Sequence, residues 1–297
     1  MKKLKRAVPG NWFSIGMFGG PSPLDLSPLP GVSNPVLTYR DVTDASAIFV
    51  ADPFMVRHTD GLWYMFLEIM NDAPYRGEIS LAISEDARSW RYEGVVLKEM
   101  FSLSYSQVFF WQGDYYMLPE MYEQNYLRLY RADPFPRVWR PVATFLSGGP
   151  IADATILRYR GQWYIFACPC PGKDDALRLY WADQLDGPWR EHPRSPIISG
   201  DPWRARPAGR VVEWAHGLVR YAQVCYPLYG SGLRAFEITH LSPEEYIEKP
   251  DGNYPIQQPE PGAWNSCAIH HVDAQCLEDG TWLAVSDGHD HPSYRPR

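Results

Sequence analysis

A chain of 297 residues with 45% hydrophobic and 14% aromatic side chains can bury a large core, which excludes a disordered or fibrous protein. Its formal charge of −7 leaves no basic footprint, so nucleic acid is not an expected partner. No run approaches the ~18 apolar residues of a membrane span, and no membrane span is expected.

The opening MKKLKRAVPGNWF has the charge of an export signal, but no apolar run of roughly 7–15 residues follows it. Residues 1–34, rich in Pro and Gly from 8 onward, read as an irregular arm within a single domain spanning 1–297. NPVLTY at 34–39 is the first strand-like segment and is expected to complete the last blade of a closed ring. VADPFMV at 50–56 and DGLWYMFLE at 60–68 then read as a hairpin, a Gly-containing turn leading into an aromatic strand. The same signal returns in GDYYMLPE at 113–120, GQWYIFAC at 161–168, GLVRYAQV at 217–224 and DGTWLAVSD at 279–287.

A second marker runs alongside. Leu127-Arg128-Leu129-Tyr130 recurs as Leu177-Arg178-Leu179-Tyr180 and, more loosely, as Leu233-Arg234-Ala235-Phe236. Trp90, Trp139 and Trp189 repeat with the period of about fifty residues that indicates a propeller or solenoid. Helical periodicity is confined to PEEYIEK at 243–249. The fold expected is all-β: a five-bladed β-propeller of antiparallel four-stranded blades. A two-sheet sandwich is the alternative, but it does not require one motif at fixed spacing.

Counting back eight or nine residues from each turn glycine aligns Asp52, Tyr105, Asp153, Gly209 and His271. These positions should open the innermost strands and ring one mouth of the central channel. A second ring closes the neighbouring strands at Glu68, Glu120, Cys168, Val224 and Asp287. Paired carboxylates at a channel mouth suit chemistry at an anomeric carbon, where one removes a proton and another orients it or tunes its pKa. The competing reading is that Asp52 and Asp153 accept backbone N–H bonds that tie blades together.

ADPFMV, YYMLPE, RLYRADPFPRVW, IADATILRYRGQWYIF, DGPWREHPRSPI, RPAGR and WNSCAIHH, spread over roughly residues 35–290, resemble a known domain. It is the propeller domain at the N-terminus of plant glucosamine inositolphosphorylceramide transferases and in stand-alone bacterial proteins. That domain is similar in fold to five-bladed glycosidases of the arabinanase and β-xylosidase type. The glycosidase resemblance implies a base at Asp52 and a pKa-modulating carboxylate at Asp153. The fourth-blade position of the acid reads Arg206-Pro207-Ala208-Gly209-Arg210, which holds no carboxylate.

A phosphate leaving group needs cations in place of a proton donor. The expectation is therefore glycosyl transfer, within glycan assembly, from a sugar or phospho-sugar donor, furanosyl sugars included, to a glycan or lipid-linked acceptor. Asp52 and Asp153 would be catalytic. Arg206, Arg210, His270 and His271 would hold the donor, with Tyr105, Glu68 and Asp287 also facing substrate. Three alternatives stay open: Glu120 as a displaced acid of a glycoside hydrolase, a non-catalytic carbohydrate-binding propeller, and an Arg206 or Arg210 that only bridges to Asp153. No cofactor is expected, and a central metal ion near His271 is the alternative to that. The five cysteines, 168, 170, 225, 267 and 276, lack paired zinc spacing and read as free thiols of a reducing, cytoplasmic compartment. His289-Asp290-His291 reads as solvated tail.

Overall fold

The computed structural model describes residues 13–169, 172–215, 217–250 and 255–290. The chain opens with β1 (Ser14–Ser22) and β2 (Asp25–Pro28). Blade one follows as β3 (Ala47–Arg57), β4 (Trp63–Asn71), β5 (Arg76–Ser84) and β6 (Arg91–Leu97). Blade two is β7 (Ser104–Trp111), β8 (Asp114–Glu120), β9 (Leu127–Ala132) and β10 (Trp139–Phe145). Blade three is β11 (Ala152–Tyr159), β12 (Gln162–Cys168) and β13 (Ala176–Ala182), with an outer edge split between β14 (Arg190–Glu191) and β15 (Ile198–Ser199). Blade four is β16 (Val212–Trp214), β17 (Gly217–Gln223), β18 (Leu233–Leu241) and β19 (Tyr246–Pro250). In blade five, β20 (Val272–Cys276) and β21 (Trp282–Gly288) are completed by β1 and then β2.

The five-bladed all-β architecture is therefore as the repeat predicts, but its closure differs. The N-terminal stretch expected to be an irregular arm supplies two strands, and Ser14–Gly20 pairs in antiparallel register with Trp282–Gly288. NPVLTY contributes only an isolated bridge, Leu37 to Ile15. Gly16, Gly19 and Gly20 break the alternation that would have marked β1, and each lies where a Cβ would strike a neighbour: Trp264 for Gly16, Leu29 for Gly19 and the Asp25 carbonyl for Gly20. The PEEYIEK segment is a turn into β19, because Tyr246 is buried and pairs with Leu241 across the sheet. No helix among the described residues is long and apolar enough to cross a membrane.

The repeat residues are what the blades pack with. Phe66, Leu81, Met117 and Trp139 share the cluster between blades one and two, with Trp139 edge-on to Phe66 at 5.3 Å. Leu129, Ile156, Trp163 and Ile165 occupy the cluster between blades two and three. Each such aromatic removes roughly 150–250 Å² from water, which explains why the marker recurs once per blade.

The inner strands β3, β7 and β11 share one irregularity. Their ladders slip between Ala51 and Phe54, Ser104 and Gln107, and Ala152 and Thr155. At each slip one residue takes a left-handed backbone: Asp52 at φ 50°, Tyr105 at φ 41° and Asp153 at φ 49°. Such bulges re-aim a side chain out of the pleat, at a strain cost of order 1 kcal/mol for a non-glycine residue. Blade four answers with Gly209 at φ 136°, where a Cβ would lie 1.8 Å from the Val272 carbonyl oxygen. Gly209→Ala should cost about 3 kcal/mol or more. Chemical denaturation would read this as a lowered midpoint at constant slope.

Candidate active site

The five aligned positions meet at one end of the channel. The Tyr105 N–H donates to Asp52 Oδ2 at 3.3 Å, and the Gly209 N–H donates to the Tyr105 hydroxyl at 2.7 Å. That hydroxyl also lies 2.7 Å from Thr155 Oγ1, whose backbone is two residues beyond Asp153. One tyrosine thus joins blades two, three and four beneath the mouth. Being fully buried, with its hydroxyl engaged, Tyr105 has no surface to offer a substrate.

Asp287 organises the Asp52 side. Its Oδ2 accepts the Asp52 N–H at 3.0 Å, and its Oδ1 accepts the His271 N–H at 3.1 Å and His270 Nδ1–H at 2.7 Å. This fixes the His270 ring so that Nε2 faces Asp52 Oδ1 at 3.4 Å. His271 lies alongside: its Nδ1 is 3.9 Å from Asp52 Oδ1, its Nε2–H donates to the Pro53 carbonyl at 2.9 Å, and its ring packs edge-on to Phe54 at 4.6 Å. His271 and Asp287 are both fully buried, which removes them from the direct substrate contact expected of them.

Asp153 is held differently. Its N–H donates to Glu120 Oε2 at 2.8 Å, while its Oδ2 accepts Arg206 Nε–H at 2.5 Å and Gln223 Nε2–H at 2.6 Å. Arg206 Nη1 reaches Asp174 Oδ1 at 2.8 Å, and its guanidinium lies over the Tyr229 ring at 5.1 Å. The bridging alternative therefore describes Arg206, whose Nη2 makes no hydrogen bond to a described residue.

Arg210 lies elsewhere. It pairs with Asp273 at 2.8 Å, donates to the Val108 and Met55 carbonyls, and lines a cavity of about 510 Å³ at the far ends of the inner strands. Arg210 is thus engaged by Asp273 and two backbone carbonyls, and makes no hydrogen bond to Asp52 or Asp153. His289 is also not tail: it is buried, and its backbone bridges to Ala268. His291 and Cys170 lie outside the described residues. Cys225, Cys267 and Cys276 are free thiols.

The electrostatics separate the carboxyls into two unlike pairs. Burial raises the Asp52 carboxyl, the His270 charge opposes it, and the net position is about 7. Burial also opposes ionisation of Asp287, but the His270 charge and hydrogen bond prevail and hold it low. Glu120 is pushed well up by burial and by the Asp153 charge. Asp153 is held low against its burial by the Arg206 charge and hydrogen bond. Carboxyls driven apart in this way can divide acid and base roles at neutral pH. Asp52, His270 and Asp287 also offer ligand atoms within 4.8 Å of one another, a grouping that includes His270 where the sequence pointed to His271.

A stability consequence follows with a definite sign. Folded Asp52 holds its proton between 3.8 and about 7, whereas the unfolded chain has released it, so the folded state binds more protons in that window. The contribution of Asp52 to stability is full below 3.8 and is lost as pH rises through about 7. Asp52→Asn should flatten that part of the stability–pH curve in denaturant titrations.

Gln223, Asp174 and Tyr229 were not foreseen. Gln223 closes β17 one residue before the position counted as its ring member, and Asp174 sits in the connection between β12 and β13, outside both counted rings.

A five-bladed propeller of this kind has the fold of several solved glycosidases. An exo-β-1,3-galactanase from Clostridium thermocellum superposes with a TM-score of 0.59 at 12% identity, covering 88% of this chain and 64% of that one. An exo-1,5-α-L-arabinanase from a bovine ruminal metagenomic library superposes at 0.54 and 13% identity, covering 75% and 86%. At such identities the likeness is one of fold. Residues 5–289 match the family model described as glucosamine inositolphosphorylceramide transferase 1, N-terminal, and the chain belongs to that family. It is 36% identical over 306 aligned residues to glucosamine inositolphosphorylceramide transferase 1 of Oryza sativa subsp. japonica, covering 96% of this chain and 41% of the relative. The chain thus spans about two fifths of the length of the curated relatives it matches.

Proposed function

We propose that this propeller transfers a sugar from a phospho-activated donor to a hydroxyl of a glycan or lipid-linked acceptor, with Asp52 as the general base. The observation that supports it best is the pairing of a buried, raised Asp52 with an Asp153 held ionised by Arg206. Asp52 would take the acceptor hydroxyl proton as the new bond forms at the anomeric carbon, while the phosphate departs with the bonding electrons. Such a departure needs no proton, which suits a fourth-blade segment without a carboxylate. The remaining Nη2 of Arg206 is the cation available to the departing phosphate. The rice and Arabidopsis relatives carry a transferase name built on glucosamine and inositolphosphorylceramide, so amino-sugar donors and inositol-containing acceptors are the first to try.

Hydrolysis is the second reading, favoured by the raised and buried Glu120 beside Asp153, which has the protonation of an acid. Calorimetric titration of sugar phosphates, nucleotide sugars and phosphoribosyl pyrophosphate, with aryl glycosides assayed in parallel, separates the two. Transfer predicts donor binding with inert aryl glycosides. Aryl-glycoside turnover that disappears in Glu120→Gln, with no phospho-sugar bound, would overturn it.

A further inference from the structure

The repeat assigns a task to each carboxyl that closes a second strand. Asp287, in β21, accepts the N–H of Asp52 in the next blade, and Glu120, in β8, accepts that of Asp153. Glu68 closes β4 at the equivalent place and should accept the N–H of Tyr105. It does not, because the Tyr105 N–H goes to Asp52 Oδ2. Glu68 accepts no hydrogen bond from any described residue, although it is only 8% exposed.

Its position is nonetheless specified. Glu68 pairs across the ladder with Ala51, the residue before Asp52. Gly77 makes room for it, since a Cβ there would lie 2.7 Å from Glu68 Oε1. Burial raises its pKa well above the usual range, and so do the charges of Asp52, Glu120, Asp287 and Asp153. A nearly buried carboxyl that accepts no hydrogen bond from the protein and keeps some access to the mouth points to a ligand that completes it.

We propose that the Glu68 carboxyl is a recognition group for a hydroxyl of the bound sugar ring, an inference that rests on the saccharide reading of the mouth. A neutral carboxylic acid carries one donor and one acceptor, the complement of a hydroxyl or of two adjacent ring hydroxyls. A cation is the poorer match, because the atoms close enough to share one belong to Asp52, His270 and Asp287, without Glu68.

Two readouts test the assignment. In thermal unfolding without ligand, Glu68→Ala and Glu68→Gln should keep the midpoint within about 2 °C of the wild type. Glu120→Ala, which orphans the Asp153 N–H, should lower it clearly. In ligand-observed NMR with millimolar glucosamine, ribose and arabinose as probes, Glu68→Ala should weaken binding at least tenfold, and Glu68→Gln, which keeps a donor and an acceptor, only a few-fold. A midpoint lowered in the Glu68 variants as far as in Glu120→Ala would overturn the proposal, as would full probe affinity in Glu68→Ala. If no probe binds the wild type, the saccharide reading itself fails and the proposal falls with it.

Discussion

Asp52→Asn is expected to lower turnover by about 10³-fold, within the roughly 10²–10⁴ that a positioned base contributes, while ligand binding stays measurable. Asparagine suits the test because it tolerates the left-handed backbone at φ 50° and keeps an oxygen for the Tyr105 N–H. The fold and the mouth should therefore survive, and only the proton acceptor is removed. The rate should also lose its acid limb near pH 7, where Asp52 titrates in the wild type. Full activity in Asp52→Asn, measured under saturating donor, would reduce Asp52 to an interblade tie.

Arg206→Ala should be the most damaging change to stability at the mouth. The guanidinium is the cation paired with both Asp153 and Asp174, with side chains 12%, 3% and 11% exposed. Its removal leaves two buried carboxylates uncompensated, and breaking a buried pair from one side costs about 3–5 kcal/mol. Asp153 would then titrate upward, because its largest stabilising influence is gone. Arg206→Lys should recover little, since one ammonium cannot reproduce the fork that meets Asp153 through Nε and Asp174 through Nη1. Denaturant unfolding of both variants, with Asp153→Asn/Arg206→Ala as the double variant, would show whether the penalty is that of an unpaired charge. If it is, the double variant recovers part of the loss.

What the sequence reveals about this site depends on repetition. Asp52, Tyr105, Asp153, Gly209 and His271 are found by counting back from a turn glycine, because five copies of one hairpin enforce one geometry. The count also finds the carboxyls of the second ring, but it cannot say which of them face a ligand. Tyr105 and Asp287 hold the mouth together from within, and only their complete burial shows it. Features outside the counted positions stay hidden. Asp174 is one, since it lies in the β12–β13 connection outside the counted rings, and Arg210 is another, since only the folded structure shows that it pairs with Asp273. The first strand of the molecule is obscured for a different reason: its glycines serve close packing against Trp264 and Asp25, which erases the alternation that would mark a strand.

The origin of the oxygen at the anomeric carbon of the product tests the central claim most directly. The protein would be incubated in ¹⁸O-water with phospho-activated sugars and with glycan or inositol-containing lipid acceptors, and the products weighed by mass spectrometry. Transfer through Asp52 predicts a glycoside carrying the acceptor oxygen, without ¹⁸O, formed only when donor and acceptor are both present and lost in Asp52→Asn. Reducing sugar labelled with ¹⁸O from aryl glycosides, formed at the same rate with or without acceptor, would contradict it.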